Sequence, residues 1–401
     1  MLSQRNTAQF DVAIVGAGPA GSVAAQQLAS AGVRVLLLER TAFPRDKACG
    51  DGVSAAGLAV LARTGLGEWA SQFPAPETLR LAAPNGQVLD MQPRADTLAC
   101  YGRTIPRRLL DAQLAQAAVN AGARLMEKRC VQNVELANGA PPVIIAQGLK
   151  TSAQLVILAD GSNAPITRRL GLSRNPPELV AVRQYFRGYT GPSERLEVHF
   201  QREIIPGYTW LFPTGGGRVN VGTGTFIERV RRNGVNLRKT LSCFVNDPTV
   251  AEGRLARAEP AGSIRGHSLR TRLNCTQTHA ERVLVAGDAA GLVNPLSGEG
   301  IAAALESGEI AAAHALSALS AGDFSAQALA PYTQALKNHY GADQRAARIL
   351  RLAMNSPWLL NHIFGRLQQD QALALLVGYV IIGYKSPRQV LHPATLLRLL
   401  F

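Results

Sequence analysis

The sequence predicts an α/β fold: a Rossmann-like nucleotide-binding domain, an antiparallel-sheet domain inserted into it, and a helical C-terminus. Three observations predict it. A buried strand, a glycine-rich turn and an Ala-rich helix open the chain as a βαβ unit. A further buried strand, ending in Gly287-Asp288, returns far downstream. Between them the pattern changes from continuous apolar runs to alternation, the mark of a half-buried antiparallel sheet.

In chain order, Phe10 to Val15 (FDVAIV) is a β-branched run that reads as a buried strand. GAGPAG follows at once, and Ser22 to Ala31 reads as a helix stopped by Gly32. Val33 to Glu39 is the second buried strand. Pro106 to Ala121 places Leu109, Leu110, Leu114, Ala117 and Ala118 at helical spacing, and Gly122 closes it. Leu155 to Ala159 is a short strand ending in Asp160-Gly161. Val180 to Thr225 alternates through LEVHF, YTWLF and RVNVGTG. Arg282 to Ala286 is one more buried strand, Gly300 to Leu319 a long Ala-rich helix, and the chain after Pro331 is mostly helical. The nucleotide domain is therefore expected from residues 1–75, 101–172 and 275–340, the sheet domain from 76–100 and 173–274, and a helical region from 341–401.

The 401 residues carry 42 basic and 28 acidic side chains, a net charge of +14, with 47% hydrophobic residues. Composition excludes disorder, collagen and coiled coil. Five cysteines (Cys49, Cys100, Cys130, Cys243, Cys275), irregularly spaced and without CxxC, argue against a disulfide framework and a structural zinc, and for a reducing compartment. The N-terminal MLSQRNTAQF lacks the features of a signal peptide, and the most apolar segment, Ala372 to Tyr384, is too short to span a bilayer. It suits a core helix or an interfacial one. A cytoplasmic protein is expected, with docking on the inner face of the membrane as an open option. The positive charge admits nucleic acid, an anionic membrane or an anionic ligand. The basic residues are dispersed in short runs with no aromatic-interleaved stripe, so no nucleic-acid partner is expected. The run at 229–239 is either a positive edge or a solvated helix face.

GAGPAG carries Gly16, Gly18, Pro19, Ala20 and Gly21. Gly16 permits the tight turn, Gly18 lets backbone approach a pyrophosphate at the helix N-terminus, and Gly21 lets helix and strand pack closely. Glu39, followed by Arg40, ends the second strand where a ribose hydroxyl acceptor is expected. The second motif, VLVAGDAAGLVNPLSGEGI, selects FAD over NAD. Gly287-Asp288 offers an acceptor to a ribityl chain. Pro295, Gly298, Gly300 and Ile301 bring in a helix N-terminus that can stabilise negative charge on a reduced flavin.

These motifs, with Ala159-Asp160-Gly161 between them, occur in the order seen in FAD enzymes of the para-hydroxybenzoate hydroxylase fold, which the chain resembles over residues 10–340. In that pattern an Arg before an LD pair contacts FAD, which marks Arg107, with Arg108 beside it. The segment ADGSNAPITRRLG departs from the pattern, with Ala164 where Ser is common, Thr167 where Arg is common, and Arg168 one place later. FPRDKACGDGVS (43–54) and PGYTWLFPTGGGRVNVGTG (206–224) resemble the geranylgeranyl reductases of this fold, and the Trp-x-Trp-x-Ile-Pro of flavin halogenases is absent. The resemblance implies a reductase that delivers hydride from reduced FAD to a C=C bond of a prenyl lipid, and places Cys49 and Gly50 close to the flavin. NADPH or another reductant is the implied electron donor, although there is no second Rossmann fingerprint. The oligomeric state is open.

Cys49 is then either a packed thiol or a thiol at the flavin face, acidified by Arg45 and Lys47. Tyr208, Trp210 and Phe212 alternate onto one sheet face, either as core or as the lining of a prenyl cavity. Tyr208 is a candidate proton donor, and Asp51 is an acidic option or a turn residue. His199 is expected to be structural. Two other functions stay open: a flavin monooxygenase acting on an aromatic or polyketide-type substrate, and a flavin-binding protein without chemistry of its own.

Overall fold

A computed structural model describes residues 9–92, 102–249 and 253–400. The expectations on the N-terminal segment and on Cys100 fall outside them. The strand Phe10–Val15 lies between Leu149–Leu158 and Val35–Leu38, parallel to both. Arg124–Met126 continues the parallel order beyond Val35–Leu38, and Val283–Val285 beyond Leu149–Leu158. Burial on both faces explains the continuous apolar runs of these strands. Leu149–Leu158 is longer than the sequence suggested. Its first half, LKTS, pairs antiparallel with Val143–Ala146, and outward polar residues there hide the strand from an apolar-run criterion.

The first helix, Pro19–Ser30, begins three residues earlier than expected, because Pro19 at its first position has its φ preset for a helix and needs no donor. The Ala-rich helix Ile301–Ala321 packs against it. Contact is close because Gly308 has no side chain: a Cβ there would lie 2.4 Å from the Ala20 carbonyl oxygen.

The second sheet runs Glu259–Pro260, Leu179–Arg187, Arg218–Phe226, Tyr208–Gly215, Arg195–His199, Thr78–Ala82, Val88–Met91, with Arg265–Leu269 also on Leu179–Arg187. It is antiparallel except between Arg195–His199 and Thr78–Ala82, which are parallel. The chain leaves this sheet after Met91 and crosses the first sheet before returning at Leu179, and such a crossover permits a parallel neighbour. One face packs Leu211, Val219 and Val221 on the helix Leu237–Asn246. Successive side chains alternate faces, so Tyr208, Trp210 and Phe212 turn the other way.

The C-terminal helices Ala326–Ala353, Pro357–Gln369, Gln371–Ile381 and Pro393–Leu400 complete the fold. Leu360, Phe364, Leu367, Leu373 and Val380 bury against Leu79, Leu81 and Val198 of the second sheet. Among the described residues no helix is long and apolar enough to cross a membrane.

Candidate active site

Gly16 ends the first strand at φ +100°, and a Cβ there would sit 2.4 Å from the Ala159 carbonyl oxygen; at Gly21 it would sit 1.9 Å from that of Gly16. Both positions are closed to any side chain and lie behind the wall of the turn. Gly18 is different, since a Cβ there would meet only Arg45 Nη2, at 3.9 Å. Gly18 supplies no side-chain cap to the helix it precedes, so the first-turn N–H groups are left for an anion.

Gly18, Pro19 and Ala20 line a cleft with about 1800 Å³ of empty space, part of it open to solvent. Cys49, Gly50, Arg107, Gly161, Gly287, Asp288, Gly298, Gly300 and Ile301 line it too, as do Tyr208 and Trp210. Apolar residues from three regions complete it: Leu79, Leu196, Val198 and Phe212 of the second sheet, Leu296, and Ile381 with Ile382. A wall suited to a dinucleotide and a wall suited to a hydrocarbon thus share one space.

Several expected residues stand outside that wall. Glu39 is buried, and its carboxylate accepts from Ala17 N at 3.2 Å, Thr41 N at 3.1 Å, Thr41 Oγ1 at 2.9 Å and Arg45 Nη2 at 3.4 Å. Those four bonds fill its acceptor sites. A ribose hydroxyl must displace one of them, and Arg45 is the longest. Arg40 is exposed and Pro295 is buried away from the cleft. Asp160 caps the short helix Pro165–Arg169, accepting from Ile166 N at 2.8 Å, Thr167 N at 3.1 Å and Thr167 Oγ1 at 2.6 Å. Thr167 thus gives the departure from the usual Arg a structural sense, while Arg168 is exposed. His199 is structural: it contacts Glu197 at 3.1 Å and stacks edge-on against Phe244. The helix Ile227–Asn233 buries none of its residues, which makes the 229–233 part of the basic run a solvated face.

The loop 45–52 is fastened to the second sheet by a network that sequence reasoning missed. Asp51, fully buried at φ +66°, accepts from Arg107 N at 3.1 Å, Tyr185 Oη at 2.6 Å and Asn220 Nδ2 at 2.7 Å. Asn220 Nδ2 also donates to the Cys49 carbonyl at 2.7 Å, and its Oδ1 accepts from Trp210 Nε1 at 3.0 Å. Asp51 is therefore an anchor. Burial pushes its carboxyl up to about 6, against the hydrogen bonds from Tyr185 and Asn220. Arg183 pairs with Asp46 and stacks on the Tyr185 ring at 4.2 Å. The Asn-Val-Gly of the 206–224 segment held the signal for Asn220; its buried partners did not show in sequence.

The expected acidification of Cys49 is overturned. Burial raises its thiol above the usual range, Asp51 adds to the rise, and Arg107 and Lys47 only partly oppose it. Arg107 spends its guanidinium on Asp111, at 2.7 and 2.8 Å, and Arg45 reaches the same carboxylate at 2.8 Å. Tyr208 donates its hydroxyl proton to the Ser297 carbonyl, and burial raises its pKa, so it stays protonated.

Asp288 accepts from Ser162 Oγ at 2.8 Å and faces Lys47 Nζ at 3.5 Å. Burial opposes its charge, yet Lys47 and Ser162 hold it below the usual carboxylate range. Two more lining residues escaped the sequence reading. Glu299 accepts from Ala302 N at 2.8 Å, and burial pushes its carboxyl up to about 7, with Glu306 and Asp288 adding to the rise. His267 Nε2 is buried without a hydrogen-bond partner, and burial, with Lys47, pushes the ring down to about 4. An orphaned nitrogen, an open Gly18 and an uncapped helix N-terminus on one cleft fit a large polar cofactor.

Residues 9–185 match the family described as FAD binding domain. The chain is 32% identical over 321 residues to a menaquinone reductase of Mycobacterium tuberculosis, covering 75% of each. It is 32% identical over 389 residues to digeranylgeranylglycerophospholipid reductase 2 of Methanopyrus kandleri, covering 93% of this chain and 94% of that one. In fold it is similar to a geranylgeranyl bacteriochlorophyll reductase-like protein of Thermoplasma acidophilum, with a TM-score of 0.81 at 23% identity over 95% of this chain and 98% of that one. The chain is an FAD-dependent oxidoreductase and belongs to the geranylgeranyl reductase family, within the para-hydroxybenzoate hydroxylase fold.

Proposed function

We propose that the chain saturates C=C bonds in the prenyl chain of a lipid. The observation that carries this reading is that the uncapped helix N-terminus at Gly18–Ala20 and the apolar surface around Tyr208, Trp210 and Phe212 line one cleft, with Trp210 and Phe212 packed against Gly50. The relatives named for menaquinone and for a digeranylgeranyl phospholipid support it, because both lipids carry prenyl chains. Gly18, Pro19 and Ala20 would hold the FAD pyrophosphate, Asp288 the ribityl chain, and Gly298–Ile301 the ring edge. Arg107, Gly161 and Gly287 line the same cleft beside them, and Glu39 would reach a ribose hydroxyl only by releasing Arg45. Bound and reduced, FAD supplies the hydride, and NADPH or another reductant restores it.

The chain's own residues then do three things. Trp210 and Phe212 confine the alkene and exclude water. Asn220 holds Trp210 and the Cys49 loop in one geometry. The Cys49 thiol, the Tyr208 hydroxyl and Glu299 keep protons in the cleft, and one of them protonates the carbon that does not receive hydride. The nucleotide, sheet and C-terminal helical regions would divide the chain after residues 75, 100, 172, 274 and 340.

The test is anaerobic incubation of the dithionite-reduced holoprotein with prenyl quinones, prenyl glycerophospholipids and prenyl alcohols, read by mass. A gain of two hydrogens per double bond is expected. A product that gains one oxygen, and only in air, would replace this reading with a monooxygenase.

A further inference from the structure

Ten large hydrophobic side chains are exposed among the described residues, and six of them fall between Ile349 and Leu400. Leu352 is 64% exposed, Trp358 73% and Leu397 59%. They are not scattered. Arg345, Ile349 and Leu352 form one outward stripe near the end of the helix Ala326–Ala353. Trp358 begins a second stripe just beyond the Met354–Ser356 turn and stacks on His362, with ring centroids 5.7 Å apart. His362 Nε2 lies 3.0 Å from the Leu400 carbonyl oxygen, and Arg366 Nε donates to that of Arg398 at 3.4 Å. The exposed side of Pro357–Gln369 is thereby held against the end of Pro393–Leu400, with Leu397 and Leu400 beside it.

The charge of this face has one sign. Residues 341–401 contain seven basic residues and two acidic ones. Both acids are engaged, Asp343 by Arg388 at 2.9 Å and Asp370 by Arg398. Arg345, Arg366 and Lys385 have no acidic partner among the described residues, while Arg348 donates to Asn274 Oδ1 and Arg351 stacks on the Phe226 ring. Exposed Leu and Trp rimmed by uncompensated Arg match the interface of an anionic bilayer, where an indole sits at headgroup depth and basic side chains meet lipid phosphate. A second copy fits poorly, because a two-fold interface would bring Arg345 and Arg366 against their own copies.

The segment 372–384, which sequence marked as a possible interfacial helix, is not this face. Leu373, Ala374, Tyr379 and Val380 are buried, and Ile381 and Ile382 line the cleft. That helix ends at the wall of the cleft and, Tyr384 apart, its neighbours carry the exposed surface.

We infer that the chain docks on an anionic lipid surface through the outward faces of its C-terminal helices, with Leu352, Trp358 and Leu397 entering the interface and Arg345 and Arg366 meeting lipid phosphate. This deepens the reductase reading by naming where a bilayer-dissolved substrate is met.

The test is flotation of the holoprotein with vesicles of pure phosphatidylcholine and vesicles containing phosphatidylglycerol, neither holding a prenyl lipid. Binding to the anionic vesicles is expected, weakening as salt rises. Arg345→Gln with Arg366→Gln is expected to weaken it about 30-fold at low ionic strength. Trp358→Ser with Leu352→Ser is expected to abolish it without loss of bound FAD. Equal binding to both vesicle types, wild-type binding by either double variant, or a dimer in sedimentation that Trp358→Ser dissolves would each overturn the inference. Turnover of detergent-dispersed prenyl alcohol is measured separately, so a docking failure and a failure of the reductase reading are told apart.

Discussion

Glu299 sits between Gly298 and Gly300, and it lines the cleft with a carboxyl pushed up to about 7 by burial. A folded-state pKa above the ordinary 4.5 means the folded chain holds a proton that the unfolded chain has released between those values. The stability from this group is complete below pH 4.5 and is lost as pH rises through about 7. If the same proton is the one given to substrate, activity falls over the same upper range. Glu299→Gln keeps an acceptor for Ala302 N and removes the titration. Its expected effects are a kcat lower by about 100-fold with the limb near pH 7 gone, FAD retained, and stability at pH 8 raised by about 1–2 kcal/mol. A pH–rate profile and thermal melts at pH 5 and 8 check both. An unchanged kcat would leave Glu299 as a helix cap and transfer the proton to Tyr208 or Cys49. For Cys49→Ser, FAD is expected to stay bound; unchanged turnover removes Cys49 from the mechanism. At this scale sequence marked Gly18, Cys49 and Asp288, and the structure brings all three to one cleft. It did not show Glu299 or His267, because the shift of the one and the orphaned nitrogen of the other come from surroundings assembled by tertiary contact.

The strands and helices were legible wherever burial is one-sided or complete. The apolar run of Phe10–Val15 and the alternation of Tyr208–Gly215 each declare their setting. The loop 45–52 was not legible as a rigid element, since a run of charge, Gly and Cys reads as coil. It is held instead by Asp51, Tyr185, Asn220 and Trp210. Asn220 is the hub, with two bonds donated and one accepted, those to Asp51 and Trp210 fully buried. Asn220→Ala strands the Trp210 N–H and the Cys49 carbonyl and removes a donor from Asp51. The expected cost is about 2–4 kcal/mol, since each buried group left unpaired costs about 1–3 kcal/mol. Thermal unfolding measures the cost. Proteolysis near Arg45–Lys47 reports whether the loop has come loose, and an unaltered cleavage pattern would show that Arg183 and Tyr185 suffice to hold it.

The two halves of the cofactor wall belong to helices far apart in sequence, Pro19–Ser30 and Ile301–Ala321, and both present their N-termini to the cleft. Their spacing is a property of the whole molecule. The face toward Pro19–Ser30 is built of Ala and Gly with no stripe of larger apolar side chains, so the sequence did not reveal which face of Ile301–Ala321 meets its partner. The structure shows that face at Gly308, where even a methyl group would lie 2.4 Å from a backbone oxygen. Gly308→Ala can be accommodated only if one helix moves away, because the atom it meets cannot rotate aside. Such overpacking costs about 1–3 kcal/mol, less the roughly 1 kcal/mol that Ala gains over Gly within a helix. Net stability therefore falls by about 0–2 kcal/mol, a small shift in melting for a chain this long, while the separation of the two N-termini grows. The expected result is a folded protein of near-wild-type melting temperature without cofactor that binds FAD at least tenfold more weakly, measured by flavin fluorescence titration. Gly341→Ala, in a half-buried stretch of Ala326–Ala353 where a Cβ meets only the tip of Arg345 at 3.6 Å, is the control expected to raise stability and leave FAD affinity alone. Equal FAD affinity in both variants would show that the helix pair tolerates displacement and that the cofactor wall is set by Asp288 and Lys47 instead.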